Sequence, residues 1–214
     1  MRAPDLAALR VEYEAVGIDP ADMADDPLDE FLTWFEGAIE AGVSQSNAFV
    51  LATATSDGVP AARAVLLKAI GPDGLTFYTN VYSRKGRELM ENPHAAACFV
   101  WIELHRQVRI EGRVAPVDDA TADEYFLSRP PGSRLAAAAS PQSEVIASRA
   151  ALESRFRRLE EQYPDGDVPR PPHWSGFRIL PDVYEFWQGR PNRFHDRVRY
   201  RTEEGSWVRE RLAP

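Results

Sequence analysis

Residues 48–80 read Ala48-Phe-Val-Leu-Ala-Thr-Ala-Thr55, Ser56-Asp-Gly-Val-Pro60, Ala61-Ala-Arg-Ala-Val-Leu-Leu-Lys-Ala-Ile70, Gly71-Pro-Asp-Gly74 and Leu75-Thr-Phe-Tyr-Thr-Asn80. Three runs rich in β-branched and aromatic residues are separated by Ser56-Asp57-Gly58 and by Gly71-Pro72-Asp73-Gly74, which is hairpin punctuation. The segment therefore predicts antiparallel strands at Ala48–Thr55, Ala61–Ile70 and Leu75–Asn80. Towards the C-terminus the pattern continues as a short helix, Ser83–Glu91, and two more strands, Ala95–Ile102 and Gln107–Val117. Helices follow at 119–128 and 144–162. A proline-rich loop, Pro164–Pro172, then leads to strands at 176–180, 183–188, 197–202 and 206–211.

Towards the N-terminus the period changes. Leu6, Leu9, Tyr13 and Val16 predict a helix over Pro4–Val16. A second helix begins with Asp26 as N-cap and Pro27 at its first position, carries a stripe of Phe31, Phe35 and Ile39, and ends at Gly42. Strands outnumber helices and connections are short. The expectation is a mainly β, α+β protein: a closed or split antiparallel barrel with peripheral helices, residues 1–45 forming a helical segment packed on a barrel domain of 46–214.

Composition removes several function classes. The 214 residues carry 25 basic and 33 acidic side chains, a net charge of −8. Two basic and 12 acidic residues fall within 1–62, leaving 23 and 21 beyond, so the body is nearly neutral. Binding to nucleic acid without sequence preference needs an excess of cations and is not expected. Cys98 is the sole cysteine, which forbids an intrachain disulfide. No apolar leader follows Met1-Arg2, and no apolar run nears the ~20 residues that span a bilayer. A cytoplasmic location without membrane contact is the expectation.

Neither Gly-x-Gly-x-x-Gly nor a Walker sequence occurs, so any phosphate must be held by side chains. Only 2 of the 25 basic residues are lysines, Lys68 and Lys85. A coding bias towards arginine explains most of that. A compact ammonium where a guanidinium would not fit is the competing account of the two that remain. Ser83-Arg84-Lys85-Gly86 sits at a strand-to-helix junction, where two cations oppose the helix dipole unless an anion joins them; solvated surface charge is the alternative. Arg63 and Lys68 share one predicted strand five residues apart, so alternation places them on opposite faces. Tyr125 and Arg129 share a helix face by i,i+4 spacing, with Ser133 just beyond, as a second candidate phosphate cradle. In an extended Arg193-Phe-His195-Asp196-Arg197, spacing of two aligns Arg193, His195 and Arg197 into a cationic face that calls for an anionic or electron-rich ligand. Asp196 points away and has a structural reading. His94, His105 and His173 have no ligand-like spacing, so no metal is expected.

The ordered series Arg63-Ala-Val-Leu-Leu-Lys68, Phe77-Tyr-Thr-Asn80, Ser83-Arg-Lys85, Arg106-Gln107-Val108, Tyr125-Phe-Leu-Ser-Arg129-Pro130, Gln142-Ser143, Glu185-Phe-Trp-Gln-Gly189, Arg193-Phe-His-Asp-Arg197 and Arg211-Leu-Ala-Pro214 closely resembles the pyridoxine (pyridoxamine) 5′-phosphate oxidase family. The resemblance implies an FMN-binding split barrel and a homodimer with FMN at the subunit interface. By motif, the FMN residues would be Arg63, Lys68, Tyr78, Thr79, Arg84, Lys85, Gln107, Gln142, Ser143, Trp187 and Arg197. Of these, Arg63, Arg84, Lys85 and Ser143 would surround the flavin phosphate, and Gln107, Trp187 and Arg197 would approach its rings. Substrate phosphate would fall to Lys68, Tyr125, Arg129 and Ser133, with Arg193 and His195 over the pyridine. Arg10 and Tyr13 would close over the substrate.

The implied reaction oxidises pyridoxamine or pyridoxine 5′-phosphate to pyridoxal 5′-phosphate with O2 as acceptor, giving H2O2. Arg193, His195 and Arg197 would be its catalytic groups. Rival readings are a related split-barrel flavoenzyme acting on another aromatic compound, as in phenazine pathways, a non-catalytic flavin or pyridoxal-phosphate binder, and a deazaflavin reductase.

Overall fold

The computed structural model describes Tyr13 and residues 15–214. Its helices are α1 (Pro27–Glu40), α2 (Arg84–Glu91), α3 (Asp119–Ser128), α4 (Pro131–Ala139) and α5 (Arg149–Gln162). Its strands are β1 (Ala48–Ala54), β2 (Pro60–Leu66), β3 (Ala69–Gly71), β4 (Gly74–Asn80), β5 (His94–Trp101), β6 (Arg106–Pro116), β7 (Trp174–Gln188), β8 (Asp196–Glu203) and β9 (Ser206–Leu212). Neighbouring strands run in the order β2-β1-β5-β6-β7-β4-β3, with β8 on β7 and β9 on β8. Among the described residues no helix is long and apolar enough to cross a membrane.

The chain divides into two compact units. The first comprises Met1–Ala48, Cys98–Ile110 and Asp182–Pro214, the second Phe49–Ala97 and Glu111–Pro181. In the first, α1 starts as its sequence predicts: the Asp26 carboxylate accepts the Leu28 N–H at 2.8 Å, and Pro27 loses nothing by lacking a donor there. The stripe differs from expectation. Phe31, Trp34 and Ala38 are buried, Phe35 is half-buried against Phe31 and Trp101, and Ile39 is 55% exposed, so the inward face takes in Trp34 and Ala38 and leaves out Ile39. Phe31 packs edge-on to Phe99, and Trp34 to Phe186, in a core that includes Tyr200. The C-terminal half of β7 pairs antiparallel with β8, Val183 opposite Arg201 and Gln188 opposite Asp196.

The second unit holds β4 paired antiparallel with the N-terminal half of β7, Leu75 opposite Ile179. Gly74 has φ +111, and a Cβ there would lie 2.1 Å from the Ile179 carbonyl oxygen, so this turn admits only glycine. Phe126, Leu135, Val168 and Trp174 form a separate buried cluster under the helices, which also fastens the proline-rich loop through Val168.

Four expectations need correction. The predicted strand Ala61–Ile70 is two strands, because the chain breaks at Leu67-Lys68, where Leu67 is buried and the Lys68 N–H bonds the Thr76 carbonyl. The strands predicted at 176–180 and 183–188 are one, β7, which runs on through Pro181. Helix α5 begins at Arg149, capped by the Ser148 hydroxyl, not at 144. Helix α4 has no counterpart in the prediction: Pro130-Pro131-Gly132 reads as loop, yet Pro131 suits a first helical position and the alanine run is strongly helix-forming. The predicted helix Pro4–Val16 falls mostly outside the described residues; Tyr13, Ala15 and Val16 are not helical.

Candidate functional site

The junction at Ser83 is built as the sequence predicts. The Ser83 hydroxyl accepts the Gly86 N–H at 3.4 Å as N-cap of α2. A Cβ on Gly86 would meet the Val81 carbonyl oxygen at 2.2 Å, so the helix starts tight against the end of β4. Lys85 follows with only 9% exposure, and its Nζ donates to Gln142 Oε1 at 2.6 Å and Thr79 Oγ1 at 3.1 Å. Burial, then the nearby Arg63 cation, pulls the Lys85 pKa below its usual value. One turn on, the buried Glu88 carboxylate pairs with Arg63 at 3.0 Å and Arg84 at 2.7 Å and accepts the Thr53 hydroxyl. Burial pushes the Glu88 carboxyl up, but hydrogen bonds from Thr53, Arg84 and Arg63 outweigh it and hold the pKa below the usual carboxylate value. Three cations and one carboxylate leave a surplus of two positive charges.

Arg63 and Lys85 line a cavity of about 580 Å³. Lys68 lines it too, which corrects the opposite-face expectation: the break between β2 and β3 interrupts the alternation. Tyr78, Thr79 and Gln142 border the same space, as do Tyr125, Arg129 and Ser133. Tyr78 stacks on Tyr125 at 4.0 Å and on Trp174 at 5.3 Å, making a flat aromatic wall. The Arg129 guanidinium lies 4.9 Å from the Trp174 ring centroid, and its buried Nη1 has no hydrogen-bond partner. A buried donor left unpaired is costly, which marks this corner as a place for an acceptor. Ser133 stands in the first turn of α4, at the positive end of the helix dipole. One cavity thus has two cationic corners, Arg63/Lys85 and Lys68/Arg129/Ser133.

The first unit carries a second cluster, in which Tyr13, His105, Gln107 and Trp187 line a cavity of about 240 Å³. The Tyr13 ring sits 4.4 Å from His105, 5.6 Å from His195 and 6.1 Å from Trp187. His195 Nδ1 accepts the Arg190 N–H at 3.1 Å, so a neutral ring carries its proton on Nε2. Burial, then the Arg193 cation, holds the His195 pKa below its ordinary value. Arg197 donates through Nε to Glu185 at 2.9 Å and through Nη1 to the Ala213 carbonyl at 2.9 Å. Glu185, 3% exposed, also pairs with Arg109 at 3.0 Å.

The aligned face of Arg193, His195 and Arg197 is not present. Pro191–Arg193 forms a 3-10 turn with positive φ at Asn192 and Arg193, so β8 begins only at Asp196 and the spacing of two has no meaning before it. Arg193 is exposed, and Arg197 is neutralised in part by Glu185. Ser143, exposed with φ +73, and Arg84 line neither cavity. Arg10 lies outside the described residues.

Sequence reasoning missed Thr53, Glu88, Trp174, His105 and Glu185. Glu88 was open to discovery as an i,i+4 partner of Arg84; the others join the site only through tertiary contacts. Among the described residues no three His, Cys, Asp or Glu side chains are grouped to hold a metal ion.

Comparison with known proteins agrees with this geometry. Residues 35–163 match a family model described as pyridoxamine 5′-phosphate oxidase, and 174–214 match the pyridoxine 5′-phosphate oxidase C-terminal dimerisation region. A pyridoxine/pyridoxamine 5′-phosphate oxidase of a Cyanothece species is 52% identical over 209 residues, 98% of each chain. Its counterpart in Methylibium petroleiphilum is 51% identical over 99% of each. Among solved structures, PhzG of Burkholderia lata 383 in complex with tetrahydrophenazine-1-carboxylic acid superposes with a TM-score of 0.89 at 31% identity, covering 95% of this chain and all of that one. A pyridoxamine 5′-phosphate oxidase-related, FMN-binding protein of Nostoc punctiforme shares the fold, with a TM-score of 0.71 at 20% identity over 90% of this chain and all of that one.

Proposed function

The chain belongs to the pyridoxine (pyridoxamine) 5′-phosphate oxidase family, with its split-barrel fold, and we propose that it forms an FMN-dependent homodimer oxidising pyridoxamine or pyridoxine 5′-phosphate to pyridoxal 5′-phosphate with O2, giving H2O2. The observation carrying this reading is one cavity with two separate cationic corners, since an enzyme that brings two phosphorylated aromatic molecules together needs both.

The residues fit FMN. A surplus of two positive charges at Arg63, Arg84, Lys85 and Glu88 matches a phosphate dianion, and the buried Lys85 ammonium is held by three neutral oxygens, with no carboxylate among its hydrogen-bond partners. Arg63, Arg84, Lys85 and Ser143 would hold that phosphate, with Lys68, Tyr78, Thr79 and Gln142 beside it and Gln107, Trp187 and Arg197 towards the rings. When bound, the flavin supplies the two-electron oxidation that no side chain here can perform.

The chain's own contribution is orientation and electrostatics. Lys68, Tyr125, Arg129 and Ser133 take the substrate phosphate, so the orphaned Arg129 Nη1 gains its acceptor. His195, kept neutral by its depressed pKa, offers Nε2–H to the phenolic oxygen of the pyridine. Arg193 would supply a cation close enough to act on His195, and Arg10 and Tyr13 would cover the ring. Arg197, its direction fixed by Glu185, would present a cation towards the flavin rings.

A second reading follows from the likeness to PhzG, whose bound compound is a carboxylic acid without phosphate. Lys68, Tyr125, Arg129 and Ser133 favour the phosphorylated substrate. The test is the absorption spectrum of the purified protein, then oxygen uptake with each vitamer phosphate. Flavin bands with turnover are expected; colour without turnover on either removes the substrate assignment. Lys68→Met should raise the substrate KM by roughly 30-fold, the loss of a charge-assisted phosphate contact, with FMN still bound.

A further inference from the structure

Asp196, which the sequence reading leaves as structural, has partners that point elsewhere. Its Oδ1 accepts Arg211 Nη1 at 2.7 Å, and its Oδ2 accepts the backbone N–H of Ile18 at 3.2 Å and faces Arg190 Nε at 3.5 Å. Both arginines then reach the same piece of chain. Arg190 Nη1 donates to the Ala15 carbonyl at 3.1 Å, and Arg211 Nη2 donates to the Ile18 carbonyl at 3.1 Å and pairs with Asp19 at 3.2 Å. A Cβ on Gly17 would lie 2.5 Å from Asp196 Oδ2, so the segment runs hard against the carboxylate. Residues 15–19 are in no helix or strand, and the clasp holds the Ala15 carbonyl and both backbone groups of Ile18.

Two residues before the clasp, Tyr13 enters the pocket made by His105, Trp187 and His195. Gly189 is shaped for it: a Cβ there would sit 3.0 Å from the Tyr13 ring and 2.9 Å from His105 Cβ. The platform under the tyrosine is fixed independently, since the buried Gln188 donates to the carbonyls of Leu104 and His105. The seat for Tyr13 is thus rigid, while its delivery depends on the clasp.

We propose that Asp196 and Arg211 are positioning residues for the oxidase reaction, holding residues 15–19 so that Tyr13 is presented to the substrate beside His195. The proposal rests on the reading above that Tyr13 contacts substrate. It gives the terminal Arg211-Leu-Ala-Pro214 motif a purpose: its arginine completes the clasp, and its Ala213 carbonyl holds Arg197. The Asp196 carboxylate thereby ties the segment that follows Tyr13 to the C-terminal motif.

The experiment measures steady-state kinetics with pyridoxamine 5′-phosphate, together with FMN Kd by flavin fluorescence and thermal midpoint, for Asp196→Asn, Arg211→Gln, Tyr13→Ala and the Asp196→Asn/Tyr13→Ala double variant. Loss of a charge-assisted contact predicts a KM about tenfold higher in Asp196→Asn and in Arg211→Gln, with kcat, FMN Kd and folding near wild type. In the Tyr13→Ala background, Asp196→Asn should add almost nothing, because both act through one ring. A normal KM in Asp196→Asn and Arg211→Gln with a raised KM in Tyr13→Ala would overturn the clasp alone, as would fully additive effects in the double variant. A normal KM in Tyr13→Ala would overturn the clasp and the substrate reading of Tyr13 together.

Discussion

Glu88 in the second unit and Glu185 in the first are both almost fully buried carboxylates, and each bridges two guanidiniums: Arg63 and Arg84 in one case, Arg109 and Arg197 in the other. Their surroundings differ. Glu88 belongs to a cluster with Lys85 and Thr53, where cations outnumber it beside a cavity that Arg63, Lys68, Lys85 and Arg129 line. Glu185 holds Arg197 between itself and the Ala213 carbonyl, in the unit whose cavity is lined by aromatic rings. In the first setting the carboxylate leaves net positive charge beside a cavity; in the second it fixes the direction of one guanidinium. Burying a carboxylate in either place is tolerable because its partners are multiple and hydrogen-bonded.

The sharpest way to break that contrast is Lys85→Met. If Lys85 holds the FMN phosphate as proposed, removing its buried ammonium costs about 3 kcal/mol, roughly 100-fold in FMN Kd at ~1.4 kcal/mol per factor of ten. Riboflavin, which lacks the phosphate, should bind as before. Equal losses for FMN and riboflavin would show that the corner does not read phosphate at all, and the difference drawn between the two carboxylates would lose its basis.

A pair of isosteric changes tests the contrast with smaller effects. Glu88→Gln should weaken FMN but not riboflavin, because Arg63 and Arg84 lose their shared anchor. Glu185→Gln should leave the FMN-to-riboflavin ratio unchanged and lower kcat about tenfold, the equivalent of ~1.4 kcal/mol at the barrier. If both variants moved the same quantity, the two carboxylates would have one role rather than two.

The same division explains what could be read from the chain before its fold. The Ser83 cap of α2 and the Asp26 cap of α1 are settled by neighbours within one helical turn, so local chemistry specified them, whereas Lys85 is held chiefly by the distant Gln142. The strand runs of 48–80 were legible because hairpin turns are local too. Helix α4 was hidden by Pro130-Pro131-Gly132, whose loop signal is overridden once Leu135 finds the Phe126/Trp174 cluster. Spacing does not reveal the Tyr13 pocket: residues 13, 105, 187 and 195 share no period, and His105 has no ligand-like neighbours in sequence. The extended reading of 193–197 failed for a related reason, because the positive φ at Asn192 and Arg193 leaves no trace in a period-two pattern. The family resemblance assigns nothing to Glu88, Glu185 or His105, whose contacts with Arg63, Arg109 and Tyr13 are tertiary.

The smallest effect concerns charge in the first unit. His195 titrates below the ordinary histidine value, first through burial and then through the Arg193 cation, while its Nδ1 is engaged by the Arg190 N–H. Protonation is disfavoured in the folded protein, so the neutral ring needed to present Nε2–H persists at neutral pH and is lost as pH falls through that depressed value. Removing the cation in Arg193→Met should move the pKa of His195 upward, towards but not beyond the ordinary value, because burial remains. Titration of the histidine Cε1–H signals by NMR in the substrate-free protein reads this directly. The chain has four histidines, and the resonance missing from His195→Asn identifies the one that matters. An unmoved pKa in Arg193→Met would mean that the exposed guanidinium is screened by solvent from the imidazole, leaving burial as the sole cause of the shift and Arg193 free to act on the substrate alone.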